Sequence, residues 1–148
     1  MNGGALGGNG IVAGAVTIGN GILAGATLAP GVNGIGLLTI QSGLTFKANS
    51  RYAWNLELST VRADEAIAQS VMIEPGASIL MTGRRHAVLP VGTIFTVISN
   101  TAATPISGTF ANLADGATIT IGGNNFQVSY SGGDGNDLTL TVAPSTNR

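Results

Sequence analysis

A short apolar–Thr–apolar phrase recurs in the first third of the chain and limits the folds open to it. Its copies are Val16-Thr17-Ile18, Ala26-Thr27-Leu28, Leu38-Thr39-Ile40 and Leu44-Thr45-Phe46. Their period of two indicates short β-strands with one buried face. The copies are separated by Gly19-Asn20-Gly21, residues 30–34 and Gln41-Ser42-Gly43, in which Gly, Asn and Pro favour turns. Because such short strands form no stable sheet alone, we expect them to stack as rungs of a right-handed parallel β-helix, a solenoid.

Longer strands follow from residue 51 onward. The stretch Arg51 to Leu58 alternates and places Tyr52, Trp54, Leu56 and Leu58 on one face. The polar segment 59–70 predicts a loop or one to two helical turns. Further strands are predicted at 71–73, 78–82, 87–89, 94–99, 108–110, 117–121, 126–130 and 138–142.

The last strands predict a cap on the stack. Strands 117–121 and 126–130 predict a β-hairpin whose loop is the four residues 122–125. Antiparallel hairpins at this position would cover the unpaired edge of the final rung. The expected architecture is therefore all-β, with solenoid rungs in residues 1–50 and terminal rungs continuing into a β-hairpin or meander cap in residues 51–148.

Composition excludes several classes of partner. Charged residues are only 9% of the chain, the net charge is −1 and no basic run exists, so we expect no nucleic-acid binding. The longest apolar run, residues 87–98, contains Pro90 and Gly92 and is too short for a membrane span, so we expect buried strands and no membrane insertion. No cysteine is present, which excludes disulfides and thiolate metal sites. The N-terminus shows no signal peptide, and we expect the chain to be a piece of a longer glycine-rich protein.

One stretch matches the sequence motif of a metal site. Residues from Gly132 onward fit the calcium β-roll nonapeptide G-G-x-G-x-D-x-U-x. A single copy supplies at most half a site, with Asp134, Asn136 and Asp137 as side-chain ligands, whereas calcium takes six to eight oxygens. We therefore predict a turn in which Asp137 accepts backbone amides, with calcium as the open alternative and no metal or cofactor expected.

No residue pattern indicates catalysis. His86, the only histidine, follows Arg84 and Arg85 without a G-x-S-x-G elbow elsewhere, and is predicted to lie in a solvated turn. Residues 2–50 contain no Asp or Glu, and the adjacent Asp64 and Glu65 are expected in a polar loop, pointing apart. Paired carboxylates for glycoside hydrolysis are thus not expected, and the chain is predicted not to be an enzyme.

Two further surfaces have a structural and a binding interpretation. Tyr52 and Trp54 are interpreted as core, with a sugar-stacking platform as the alternative. The Thr-centred triplets are interpreted as ordinary rungs, because their irregular spacing argues against a flat ice-binding ladder.

Four stretches of the chain together resemble the sequences of a known family. They are GAVTIGNGILAGATLAPG (14–31), LTIQSGLTFKANSRYAWNLEL (38–58), LPVGTIFTVISN (89–100) and ISGTFANLADGATITIGGNNFQVSYSGGDGNDLTLT (106–141). In this order the chain resembles the C-terminal end of an autotransporter-type passenger with autotransporter-associated β-strand repeats.

The resemblance implies a secreted or surface-exposed bacterial β-solenoid with further rungs upstream as the partner of this segment. It also implies a non-catalytic role: capping and stabilising the solenoid end and templating its folding. The alternatives are self-assembly into a homo-oligomer through an exposed rung edge, and adhesion through a glycan- or surface-binding face.

Overall fold

Strands joined by turns make up the part of the chain that the structure describes. The computed structural model describes residues 4–20, 26–31, 35–84 and 87–144, and these contain no helix. The strands are β1 (Ala5–Gly7), β2 (Gly10–Val12), β3 (Val16–Ile18), β4 (Thr27–Ala29), β5 (Leu37–Phe46), β6 (Arg51–Glu57), β7 (Arg62–Ala63), β8 (Glu65–Ile73), β9 (Ser78–Arg84), β10 (Ile94–Asn100), β11 (Thr118–Ile121), β12 (Asn124–Gly132) and β13 (Asp137–Ala143). None of the described residues belongs to a helix long and apolar enough to cross a membrane.

The strands divide between two sheets. The first has the order β1-β4-β6-β7 with β9 also on β6, and all its pairs except β6–β7 are parallel. The second has the order β11-β12-β13-β10-β8-β5-β2 with β3 also on β5. In it, β2, β3, β5, β8 and β10 pair in parallel, and β10, β13, β12 and β11 then pair antiparallel. The all-β class and the parallel sheets are thereby confirmed.

The Thr-centred triplets form strands as predicted, with the apolar residues inside. In the triplet at residue 16, for example, Val16 and Ile18 are buried and Thr17 is exposed. The predicted turn Gln41-Ser42-Gly43 is wrong, however, because β5 runs unbroken through it with an irregular register between Ile40 and Gly43. The corners that include Gly21 and residues 32–34 lie partly outside the described residues.

The predicted loop or helical segment at 59–70 is a turn only at residues 59–61. The rest of the segment contains β7 and most of β8, whose Ala66 and Ala68 pair with Leu38 and Ile40 on one side. Both alanines are 0% exposed. Alanine is the best helix former, but parallel pairing and burial override that local preference here.

Three other predictions need correction. Residues 87–89 and 108–110 are irregular rather than strands, and the apolar run at 87–98 is not all buried, since Val88 is 95% exposed. The β11–β12 hairpin is confirmed, but its turn is two residues, Gly122 and Gly123, with φ of 57° and 83°. Asn124 and Asn125 belong to β12 and pair with Ile121 and Thr120.

Side chains from both sheets form one core. Its largest fully buried members are Trp54, Tyr52, Phe46, Phe110 and Phe126. Phe46 and Phe110 meet edge to face with ring centroids 5.1 Å apart, so a residue from the C-terminal part packs on the parallel strands.

Candidate functional site

The calcium-like stretch is a turn between β12 and β13. Residues 133–136 form the turn, and Gly132 and Asp137 pair across it. The Oδ1 atom of Asp137 accepts a hydrogen bond of 2.9 Å from the backbone N–H of Asn100 at the end of β10. Asp137 therefore accepts an amide as predicted, but from a distant strand. Burial raises the pKa of this carboxyl and the charge of Asp134 adds to the rise, while the hydrogen bond from Asn100 opposes it.

Asn136 attaches the same turn to the loop that follows β10. Its Nδ2 donates to the carbonyl oxygens of Ala102 and Thr104. Its buried Oδ1 has no hydrogen-bond partner among the described residues. Within those residues no group of three or more His, Cys, Asp or Glu side chains is arranged to hold a metal ion.

The basic and acidic residues singled out in the sequence form no common site in the part of the chain that the structure describes. Arg85 and His86 lie outside the described residues, and Arg84 is exposed at the end of β9. Asp64 and Glu65 are separated by burial, since Asp64 is 0% exposed whereas Glu65 begins β8 on its outer side. Burial raises the pKa of Glu65, and the charge of Asp137 adds to this.

Asp64 is a structural carboxylate, which corrects its predicted place in a polar loop. Its Oδ1 accepts from the N–H of Gly36 at 2.8 Å. Its Oδ2 accepts from the N–H of Asn55 at 3.0 Å and from the Asn55 side-chain amide at 2.9 Å. The carboxylate therefore joins the start of β5 to β6 and to the turn before β8.

Tyr52 and Trp54 belong to the core, as predicted. Both are 0% exposed, so neither ring is accessible to a sugar. The Trp54 indole N–H donates to the carbonyl of Asp64 at 2.6 Å, and the Tyr52 hydroxyl donates to the carbonyl of Val97 at 2.8 Å. Burial raises the pKa of Tyr52 well above its ordinary value, with the charges of Asp64 and Glu65 adding to this.

Residues 108–143, which we call the cap, attach to the parallel strands through side-chain amides. The Asn112 Oδ1 accepts from the N–H of Ile79 at 3.0 Å, and its Nδ2 donates to the carbonyl of Ile79 at 2.7 Å. Asn124 does the same for the loop before β10, accepting from Leu89 N at 2.9 Å and donating to Ala87 O at 2.8 Å. Each carboxamide thus imitates the donor and acceptor of a neighbouring strand.

A tyrosine and a phenylalanine complete the attachment. The hydroxyl of Tyr130 donates to Leu113 O at 2.6 Å and accepts from Phe110 N at 3.1 Å. Burial raises the pKa of Tyr130 to about 12, with the charge of Asp115 adding to the rise and the Phe110 N–H opposing it. These bonds hold Phe110, which is 1% exposed, against Phe46 and Tyr52 in the core.

The arrangement joins backbone segments that lie far apart in sequence. The polar side-chain groups of Asn112, Asn124 and Tyr130 are occupied by main-chain donors and acceptors. Sequence reasoning missed Asn112 and Asn124, because an Asn in a Gly-rich segment has the composition of an ordinary turn, and it placed Asp64 in a polar loop. Of the three residues, only Asn124 lies beside an alternating apolar stretch, residues 126–130.

No protein-family model matches the chain, and no curated protein matches it.

Proposed function

We propose that the chain is the capped end of a right-handed parallel β-solenoid and that its function is mechanical. In this proposal the cap closes the end of the stack and holds the last rungs in register. It needs no catalytic group and no cofactor.

The registers of the parallel pairs support the solenoid. In the first sheet Ala5 pairs with Thr27, Thr27 with Arg51, and Arg51 with Ser78. In the second, Gly10 pairs with Leu38, Leu38 with Ala66, and Ala66 with Ile98. The chain thus returns to each sheet after roughly 22 to 32 residues, which is within the usual length of a solenoid repeat.

The observation that carries the capping role is the contact of Asn112 with Ile79. Its carboxamide satisfies both main-chain groups of Ile79 on the side of β9 that faces away from β6. Phe110, two residues earlier, fills the end of the apolar interior. Together they occupy the main-chain groups of Ile79 at the edge of β9 and cover the end of the apolar interior, both of which a cut stack would leave exposed.

The resemblance to autotransporter-type passengers supports the biological setting of this proposal. We propose a secreted or surface-exposed bacterial protein, with upstream rungs as the partner of this segment. Templating of those rungs by the cap during folding is part of the same proposal.

Unfolding experiments on cap variants test the capping role. Phe110→Ala should cost about 3–5 kcal/mol, and Asn112→Ala about 1–3 kcal/mol because it leaves two main-chain groups unpaired. Trp54 lies outside the cap and is the only tryptophan, so its fluorescence reports on the rungs, while far-UV circular dichroism reports on all strands. If the cap closes the stack, both signals shift together to lower urea.

The matched control is Gln127→Ala, an exposed position of β12, which should change stability by less than about 0.5 kcal/mol. A Trp54 transition that stays in place while the cap strands melt would contradict the capping role.

Self-assembly is the second candidate, and an open edge favours it. Among the described residues, β1 pairs only with β4, while β2 and β3 pair only with β5. Ile11 in β2 is 68% exposed at this edge. Light scattering over a concentration series should show association that Ile11→Lys weakens and Val91→Lys, at an exposed site in the loop before β10, leaves unchanged. A monomer at all concentrations would exclude this function.

A further inference from the structure

A polar groove opens on the outer face of the first sheet where β4, β6 and β9 begin. Its volume is 490 Å³, which lies within the usual range for ligand sites. Thr27, Arg51 and Ser78 line it from the three strands, and Asn49 and Gly76 line it from the turns before β6 and β9.

The register places the three strand residues in one row. Thr27 pairs with Arg51 and Arg51 with Ser78 in parallel ladders, so neighbours are about 4.8 Å apart. The following residues, Leu28 and Tyr52, are both 0% exposed, and strand alternation therefore directs Thr27 and Arg51 outward. The row presents hydroxyl, guanidinium and hydroxyl in sequence.

Arg51 supplies an uncompensated charge to this groove. The ion pair among the described residues joins Lys47 and Glu74 at 2.9 Å, so these neighbouring charges neutralise each other. The guanidinium of Arg51 takes no part in a hydrogen bond or ion pair within the described part of the chain. Arg51 is exposed, and its five N–H donors face solvent.

We propose that this groove binds an acidic saccharide. The guanidinium would hold a carboxylate or sulfate in a bidentate contact, and the hydroxyls of Thr27 and Ser78 would bond the sugar hydroxyls on either side. Five of the seven lining residues have polar side chains, the exceptions being Ala26 and Gly76, so the groove suits a hydroxyl-rich ligand better than an apolar one. This inference does not depend on the proposed capping function.

Titration of the whole chain with short oligosaccharides tests the proposal by NMR chemical-shift changes. The probes are a galacturonic acid tetrasaccharide, a sulfated tetrasaccharide and a neutral glucose tetrasaccharide. We expect one or both acidic probes to bind and the neutral probe to bind at least tenfold more weakly. The preferred acidic probe identifies the anionic group.

Arginine variants locate the site. Arg51→Ala should weaken binding by about 10- to 100-fold, the usual loss for a charged hydrogen-bond partner. Arg51→Lys should recover only part of it, because lysine lacks the planar fork. Arg84→Ala removes the same charge from an exposed position in β9 outside the groove and should bind like the wild type. Unchanged melting temperatures confirm that the variants are folded.

Three results would overturn the proposal. The first is that neither acidic probe binds at a 10-fold molar excess over millimolar protein, about the weakest range of specific binding. The second is an equal loss of affinity in Arg51→Ala and Arg84→Ala. The third is that a tetra-aspartate peptide binds as tightly as the acidic saccharides.

Discussion

Replacing Asp64 with alanine should destabilise the protein by about 2–6 kcal/mol, because it leaves two buried main-chain donors without an acceptor. The carboxylate is 0% exposed and accepts three hydrogen bonds, two of them from the main-chain N–H groups of Gly36 and Asn55. Each buried donor left without an acceptor costs about 1–3 kcal/mol. The two main-chain donors account for most of the loss, because the half-buried Asn55 side chain can turn towards water.

The variant Asp64→Asn distinguishes the contribution of the hydrogen bonds to stability from the contribution of side-chain packing. Asparagine has the same shape but keeps one accepting oxygen, and its NH₂ group would face a donor. We therefore expect an intermediate loss of about 1–3 kcal/mol. Gln127→Ala is the control, since this residue is exposed on β12 and should change stability by less than about 0.5 kcal/mol.

Urea unfolding measured by Trp54 fluorescence gives these differences. The Trp54 indole bonds to the main chain of Asp64, so far-UV circular dichroism is needed as a second signal for global unfolding. A loss below about 1 kcal/mol in Asp64→Ala, or equal losses in the two Asp64 variants, would refute the structural role of this carboxylate.

Three further predictions concern the cap and its joints. Gly108 and Gly116 have similar φ of 85° and 82°, but a Cβ at Gly108 would lie 2.0 Å from Ile73 O, whereas one at Gly116 would meet nothing within 4 Å. Gly108→Ala should therefore have a markedly lower melting temperature than Gly116→Ala. Equal melting temperatures would disprove the close contact at Gly108. Because the pKa of Tyr130 is raised to about 12, its stabilising contribution is complete below its ordinary pKa and is lost as pH rises through the folded value. Urea unfolding from pH 9 to 12 should show this loss, and Tyr130→Phe should reduce it. The pKa of Asp137 is also raised, so its contribution to stability is present at acid pH and is lost as pH rises through the folded pKa. The stability of Asp137→Asn relative to the wild type should therefore increase from pH 3 to pH 7. A stability difference that stays constant over this range would contradict the prediction.

The strands that could be predicted from the sequence are those whose two faces differ in polarity. Val16, Thr17 and Ile18 alternate clearly, and each occupies the expected face. The strand β8 could not be predicted, because Ala66 and Ala68 favour a helix locally and are held extended by partners 28 residues away, Leu38 and Ile40.

The polar contacts were harder to predict than the strands. Asp64 precedes Glu65 in the sequence, and the two carboxylates together resemble a solvated polar segment. The hydrogen-bond donor of Asp64, Gly36, is 28 residues away in sequence. Asn112 lies in a segment with turn composition, and its Ile79 partner is 33 residues distant. Local sequence carries no record of such contacts, since only the assembled strands bring the groups together.

The two ends of the parallel strands differ in what they offer to another chain. At β9, the carboxamide of Asn112 already occupies the main-chain groups of Ile79 that an incoming strand would need, whereas β1, β2 and β3 keep one side free within the described residues. A second copy is therefore expected to add at the side of β1, β2 and β3, and two copies that met there through the same strands would form a closed twofold pair.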